Sequence, residues 1–240
     1  MTMQQKKACL ECEKRWVYWV LMVVAGFYGG YAMIVRGGAF SNAQTGNVAL
    51  MAISLGQGNW KEAAYYLIPI SAYLLGSLVS EVLPKPLRQL HLFRWDTLLT
   101  LFEIIAVIVM GFIPVTAPHQ ICQVIINFIC AMQYNTFRQS EGVSMATTFV
   151  TNHIRQLGIC LTGVFNKEPA EKRKLRQGGV HLIMILWFVL GVAASTIASR
   201  FLQEKAIWCA LVPLVVLFVD LLHADRTKEK ELLEQKPAGH

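Results

Sequence analysis

Two short polar stretches interrupt an otherwise apolar chain, and both carry residue types that bind solutes. The first holds Asn42, Gln44, Thr45, Gly46 and Asn47; the second holds Thr148, Thr151, Asn152 and His153, with Arg155 close behind. Thr45-Gly46-Asn47 and Thr151-Asn152-His153 each open a short apolar run, as at a helix that begins inside a broken segment. The first N–H groups of such a helix lack intrahelical acceptors and sit at the positive end of its dipole, so they favour an anion or a carbonyl-bearing solute. Thr and Asn are also ordinary helix caps. Repetition in both halves of the chain is what raises the pair above a lone cap.

Four further groups could act with these stretches. Arg155 is the fourth residue after Thr151, so a helix would put both on one face with the guanidinium above the anion site. Glu103 lies about seven residues inside an apolar run, roughly 10 Å along a helix axis, where an ionised carboxylate costs on the order of 2.5 kcal/mol or more. Such a group is protonated, paired or wet, which suits proton coupling or an ion pair with Arg36, Arg138 or Arg155. Asn127 and Asn135 add polarity to a later run and could line a cavity or bond between helices. His153 is of a type that titrates near neutral pH.

Catalytic motifs are missing. The chain has no G-x-S-x-G, no G-x-x-x-x-G-K-[ST] and no H-E-x-x-H, so the expectation is no catalytic residue, no metal and no cofactor. Cys9 and Cys12 form a single C-x-x-C without a second pair or a nearby histidine to complete four ligands. Cys122, Cys130, Cys160 and Cys209 sit in apolar stretches as small hydrophobes.

The elements that must position these residues are read from apolarity. With 55% hydrophobic and 15% charged residues among 240, the chain is too apolar for an ordinary soluble fold. Apolar runs at 16 to 35, 63 to 83, 97 to 114, 119 to 137, 181 to 199 and 206 to 223 approach the ~20 residues that a crossing helix needs. The fold class expected is therefore an all-α integral membrane protein, with about six spanning helices and two short broken or re-entrant helical segments. About fifteen polar residues precede the first run, which argues against a cleavable signal peptide. The expected division is a tail at 1 to 15, one membrane domain at 16 to 223 and a tail at 224 to 240, both tails cytoplasmic.

Charge supports that topology. Of the 22 Lys and Arg, six crossings place sixteen inside, Lys6, Lys7 and Lys167 among them, leave Arg36, Lys61, Arg200 and Lys205 outside, and put Arg138 and Arg155 at or within the membrane boundary. Eight crossings, with both polar stretches spanning, would force the basic loop from Lys85 to Arg94 outside. The net charge of +7 lies beside hydrophobic segments, where it fits anionic lipid rather than nucleic acid.

The second half echoes the first. Leu67-Ile68 with Leu75-Gly76 has the internal spacing of Leu182-Ile183 with Leu190-Gly191, which suggests one repeat at 16 to 115 and another at 119 to 223. Three spans per half make the copies run in opposite directions, the inverted 3+3 plan of many secondary transporters. Gly76-x-x-x-Ser80 and Gly191-x-x-x-Ser195 offer small-residue seams for helix packing.

Gly37-Gly38-Ala39-Phe40, Thr45-Gly46-Asn47, Asn135-Thr136-Phe137-Arg138, Thr151 and Arg155 resemble the YoaK family of bacterial multi-pass membrane proteins over roughly 16 to 223. The resemblance implies the bacterial cytoplasmic membrane and a Thr-Gly-Asn motif in each half; here the second copy reads Thr-Asn-His. It also implies that the position of Glu103 is often acidic, and it lends no substrate. Three functions compete: a small secondary transporter or permease for a small polar or anionic solute, a non-catalytic scaffold or lipid- or partner-binding protein, and an intramembrane enzyme. Expected partners are membrane lipid, the solute and a possible homodimer, with no nucleic acid. Transport requires both polar stretches to meet around a cavity.

Overall fold

In the computed structural model, which describes residues 9–38, 41–89, 93–165, 171–233 and 235–237, each apolar run is a helix. α1 (Arg15–Val35), α3 (Trp60–Val82), α5 (Trp95–Phe112), α6 (His119–Thr136), α8 (Glu171–Leu202) and α9 (Leu211–Arg226) are the long ones. α2 (Gln44–Gly56), α4 (Pro84–Gln89) and α7 (Thr151–Phe165) are shorter. Lys6, Lys7, Lys167, Ala39 and Phe40 lie outside the described residues.

Four helical stretches among the described residues are long and apolar enough to cross a membrane: Arg15–Val35, Trp60–Leu87, Trp95–Phe112 and Arg173–Arg226. The last is a continuous 54-residue stretch, far longer than a bilayer needs, and it holds both α8 and α9. It turns through 3-10 geometry at Gln203–Ala210, where Gln203 takes a positive φ of 49°. α6 is not among the four, because Gln123, Asn127, Gln133 and Asn135 dilute its apolar character.

One feature departs from an all-helical chain. Gln139–Ser140 and Val143–Ser144 form a two-residue antiparallel hairpin, turned at Glu141 and Gly142, both with positive φ. The hairpin returns the chain from the end of α6 toward α7.

Contacts along the helices fix their relative directions. Trp19 stacks on Trp187 and Gly30 meets Ser195, so α1 and α8 run parallel. Tyr65 donates to Gln123 and Asn135 donates to Ser80, so α3 and α6 also run parallel. Tyr18, near the start of α1, donates to the carbonyl of Gln139 beyond the end of α6, while Gln123, near the start of α6, donates to the carbonyl of Arg36 beyond the end of α1. α1 and α6 are therefore antiparallel. Trp95 of α5 reaches Thr136 at the end of α6, and Arg94 beside it bonds Asp225 at the end of α9. Thus α1, α5 and α8 run one way, and α3, α6 and α9 the other.

The described residues just before α1 and just after α9 gather on one face. There the backbone N–H of Glu11 donates to Glu229 at 2.5 Å, and Arg15 pairs with Glu141 at 2.8 Å. Arg94 is the hub: its backbone N–H donates to Asp225 at 3.0 Å, and its guanidinium donates to Asp96 at 3.2 Å and to the carbonyls of Leu232 and Gln235.

Close packing rests on glycine at two matched seams. A Cβ on Gly191 would lie 2.1 Å from the carbonyl oxygen of Val23, and one on Gly26 would lie 2.2 Å from that of Phe188. At the other seam, a Cβ on Gly76 would lie 2.4 Å from the carbonyl oxygen of Phe128. These neighbours are backbone, which cannot rotate away, so α8 meets α1 and α3 meets α6 only through hydrogen at these positions. Gly191→Leu is expected to destabilise the fold by about 3 kcal/mol or more through overpacking, whereas Gly179→Leu, which meets open space, should be neutral. Thermal unfolding and size-exclusion profiles of the two detergent-purified variants check this.

Candidate functional site

The segment between α1 and α2 does not stay at the end of α1. Asn42 donates from Nδ2 to the carbonyl of Ala25, midway along α1, at 2.7 Å, so the chain has turned back by about ten residues of helix. Gly29 makes room for this, since its Cα faces the Asn42 amide and a Cβ there would come within 3.2 Å of it. From that depth α2 starts and returns. The segment before α7 does the same from the other side. Gln133 of α6 donates to the carbonyl of Thr147 at 3.1 Å and, at 3.4 Å, to that of Leu21, one turn of α1 from Ala25. Both tips thus hang on neighbouring turns of the same helix.

Between the tips lies a cavity of about 410 Å³. Ser41, Asn42 and Ala43 line it from the first segment, Thr148 to Thr151 from the second, and Gly29, Gly30, Phe188 and Val192 from α1 and α8. The Ser41 hydroxyl and the Oδ1 of Asn42 are covered and make no hydrogen bond among the described residues, and the covered Thr148 hydroxyl interacts with Tyr73 of α3; the three residues are 1%, 8% and 0% exposed. Neither adjoining helix start is closed by a side chain from its own first segment: Ala43 precedes α2 without a side-chain cap bond, and Val150 precedes α7. The space is mostly apolar, walled by Met33, Ile34, Phe188 and Val192, with the two polar segments at its border. Chemically, it suits a solute with an apolar body and one polar or anionic end.

The other residues singled out in the sequence fall in several places. Thr45 is exposed at the first turn of α2, with Gly46 half-buried beside it. Asn47 donates to Gln44 at 2.9 Å, Gln44 donates to Asn127 at 2.5 Å, and Asn127 donates to the carbonyl of Gln123 at 2.7 Å. That chain of amides ties the start of α2 to α6, so Asn127 does not line the cavity. Asn135 does not either; it donates to Ser77 and Ser80 and joins α6 to α3. Asn152 is half-buried and Arg155 is exposed, four residues past Thr151 but outside the cavity lining.

No arginine reaches Glu103. Its carboxylate is fully buried in α5, and the side chain that interacts with it is Tyr28 of α1. Arg36, fully buried, instead donates to Tyr31 at 2.9 Å and to the carbonyls of Pro114 and Ile113 at 3.0 and 2.6 Å. It closes the end of α5, ten residues and roughly 15 Å beyond Glu103. Arg138 pairs with Glu81 and with the carbonyl of Asn135, on the face that carries the described residues just before α1 and just after α9.

Sequence reasoning missed two residues. His181 of α8 is 2% exposed and places its Nδ1 3.0 Å from the Nδ1 of His153; a single histidine in an apolar run gives no sign of a partner 28 residues away. Arg94 reads in the sequence as one basic loop residue, yet it binds both tails. Burial works against its charge, but Asp96, Glu229 and Asp225 outweigh that and hold the guanidinium more firmly protonated than a free arginine.

Cys12 sits in the same cluster, 3.7 Å from an Arg94 nitrogen. Burial pushes its thiol well above the ordinary range, with Asp96 adding to the effect; the thiolate, the reactive form, is suppressed. Cys9 is exposed. Among the described residues no group of three His, Cys, Asp or Glu is placed to hold a metal ion. Maleimide at neutral pH should label Cys9 and spare Cys12. Arg94→Met should release the tails and raise Cys12 labelling on the order of tenfold, by local opening; mass spectrometry of the labelled peptide reads both, and equal labelling of the two thiols in the unaltered chain would contradict the docked tail.

A family model described as a protein of unknown function (DUF1275) matches residues 17–219. No curated protein and no solved structure matches the chain. The family match covers most of the sequence and is consistent with the YoaK-like resemblance carried by the glycine, Thr-Gly-Asn and arginine positions. With its apolar helices and paired broken segments, the chain belongs to the DUF1275 family.

Proposed function

We propose that the protein is a small secondary transporter or permease for a small polar or anionic solute. One observation carries the reading: two broken segments, one from each half, come from opposite ends of α1 and border one cavity. Irregular backbone at membrane depth survives only where protein or a wet cavity surrounds it. Discontinuous helices meeting near mid-depth are the usual substrate site of such carriers.

The alternation of helix directions supports six crossings, with α2 and α7 as re-entrant pieces. At 13 and 15 residues they reach only about 20 Å, short of the ~30 Å hydrocarbon core. The antiparallel α1 and α6, together with glycine seams at matching places in α3 and α8, support an inverted repeat. The face that joins Lys14, Arg15, Arg94, Arg138 and both tails is richest in basic residues, which supports a cytoplasmic placement of both termini in a bacterial membrane. In this reading the chain is not an enzyme, and it works among membrane lipids alone or as a homodimer.

A second reading rests on the cavity's walls. Phe188, Val192, Met33 and Ile34 make much of the lining apolar, which also fits a bound lipid chain in a non-transporting scaffold. Thermal-shift screening against small carboxylates, phosphate and neutral polar metabolites, followed by counterflow in liposomes, separates the two. A solute present at about a hundred times its Kd should add about 2.7 kcal/mol of stability. Ser41→Ala and Thr148→Ala should each remove most of that gain and slow counterflow at least tenfold. Counterflow equal in both variants and in the unaltered chain would rule out this cavity as the path, and stabilisation by lipid alone would favour the scaffold.

A further inference from the structure

We infer that His153 and His181 form a proton-binding pair that joins the second broken segment to α8, and, resting on the transport reading, that this pair holds the coupling proton. Both rings are buried, at 0% and 2% exposure. The hydrogen-bond pattern fixes their tautomers. His153 Nε2 lies 2.6 Å from the carbonyl oxygen of Ala146, and a carbonyl only accepts, so Nε2 carries a proton. In the neutral ring His153 Nδ1 is then a lone pair. It lies 3.0 Å from His181 Nδ1, which must donate.

The remaining ring nitrogen, His181 Nε2, is therefore the basic position, and it makes no hydrogen bond among the described residues. A proton arriving there turns His181 into an imidazolium whose Nδ1–H still points at His153. The bond between the rings becomes charge-assisted, and such bonds are roughly twice as strong as neutral ones. A second proton cannot be accommodated the same way, since both Nδ1 atoms would then carry hydrogen at 3.0 Å. The pair takes one proton and resists two, and its titration belongs to both rings together.

Placement gives the proton leverage. His153 stands two residues after Thr151, on the first turn of α7, and Ala146 stands two residues before Thr148; Thr148 and Thr151 both line the cavity. His181 stands on α8, which contributes Phe188 and Val192 to the same wall. Protonation therefore acts on the contact between the second broken segment and α8, both of which line the cavity. Among the described side chains, the charged or titratable groups on the elements packed around the pair are Arg155 and Cys160 on α7, Arg173, Lys174, Arg176 and Arg200 on α8, and Arg15, Tyr18, Tyr28 and Tyr31 on α1. The hydrogen bonds of both rings go to each other and to Ala146, not to any of these. Glu103, another buried ionisable group of the bundle, interacts with Tyr28 and not with either histidine.

The test is nitrogen-15 NMR of histidine-labelled full-length protein in lipid nanodiscs, titrated from about pH 9 to about pH 4 across the histidine range. The expected result is one proton taken up by two rings whose signals move at a common midpoint, with a scalar coupling across the Nδ1 pair. His181→Gln keeps an N–H donor toward His153 and removes the basic nitrogen, so it should remain folded and lose the shared step. Independent midpoints for the two rings, no titration of either, or an unchanged His153 titration in His181→Gln overturns the pair. Counterflow on the same preparations separates the claims. A shared step without solute flux removes the transport reading and leaves the proton site, whereas flux without a shared step removes the proton site alone.

Discussion

Backbone that breaks its helix inside an apolar bundle must find hydrogen-bond partners there, and the rest of this structure follows from how it does so. An unpaired peptide group away from water costs several kcal/mol. Here two turns of α1 supply part of the answer: Ala25 accepts from Asn42, and Leu21 accepts from Gln133, which also holds Thr147. Because both anchors are on one helix, the two tips meet. Their meeting leaves a cavity bordered by Ser41, Asn42, Thr148 and Thr151.

Everything around α1 serves that geometry. Gly29 and Gly30 thin the helix where the first tip and Ser195 approach. Gly26 and Gly191 bring α8 against the neighbouring turns, so the His181 and Phe188 side chains reach the second tip. The amide chain from Asn47 through Gln44 and Asn127 to Gln123 ends at the carbonyl of Arg36. Arg36 in turn closes α5 on Ile113 and Pro114. A small-residue face and a buried polar thread thus join the helices, as the proposed membrane placement requires, since apolar burial does not drive helices together in lipid.

Much of this is legible in the sequence. Long apolar runs mark the helices, because length and apolarity are local properties. Clusters of Gly, Ser, Thr and Asn mark the broken stretches, because those residues tolerate and cap irregular backbone. Partners are not local. Arg36 bonds carbonyls, which every residue has, so its arginine type gives no sign that its partners are Ile113 and Pro114 and not Glu103. Glu103 meets Tyr28, a phenol that reads as one more aromatic residue. Arg155 shares a helix face with Thr151, yet the side chain is exposed, since spacing fixes a face of α7 and not what that face meets. His181 reads as a stray polar residue until the fold brings it to His153.

The central claim is that residues 41–43 and 148–151 border one space. The direct test places cysteines at Asn42 and Thr151 in a chain whose six native cysteines are replaced, and bridges them in membranes with a short bifunctional thiol reagent. The account predicts an intramolecular cross-link in high yield, with a solute that stabilises the protein slowing its formation. Two singly labelled sites that never bridge, with one reached only from each side of the membrane, would contradict it.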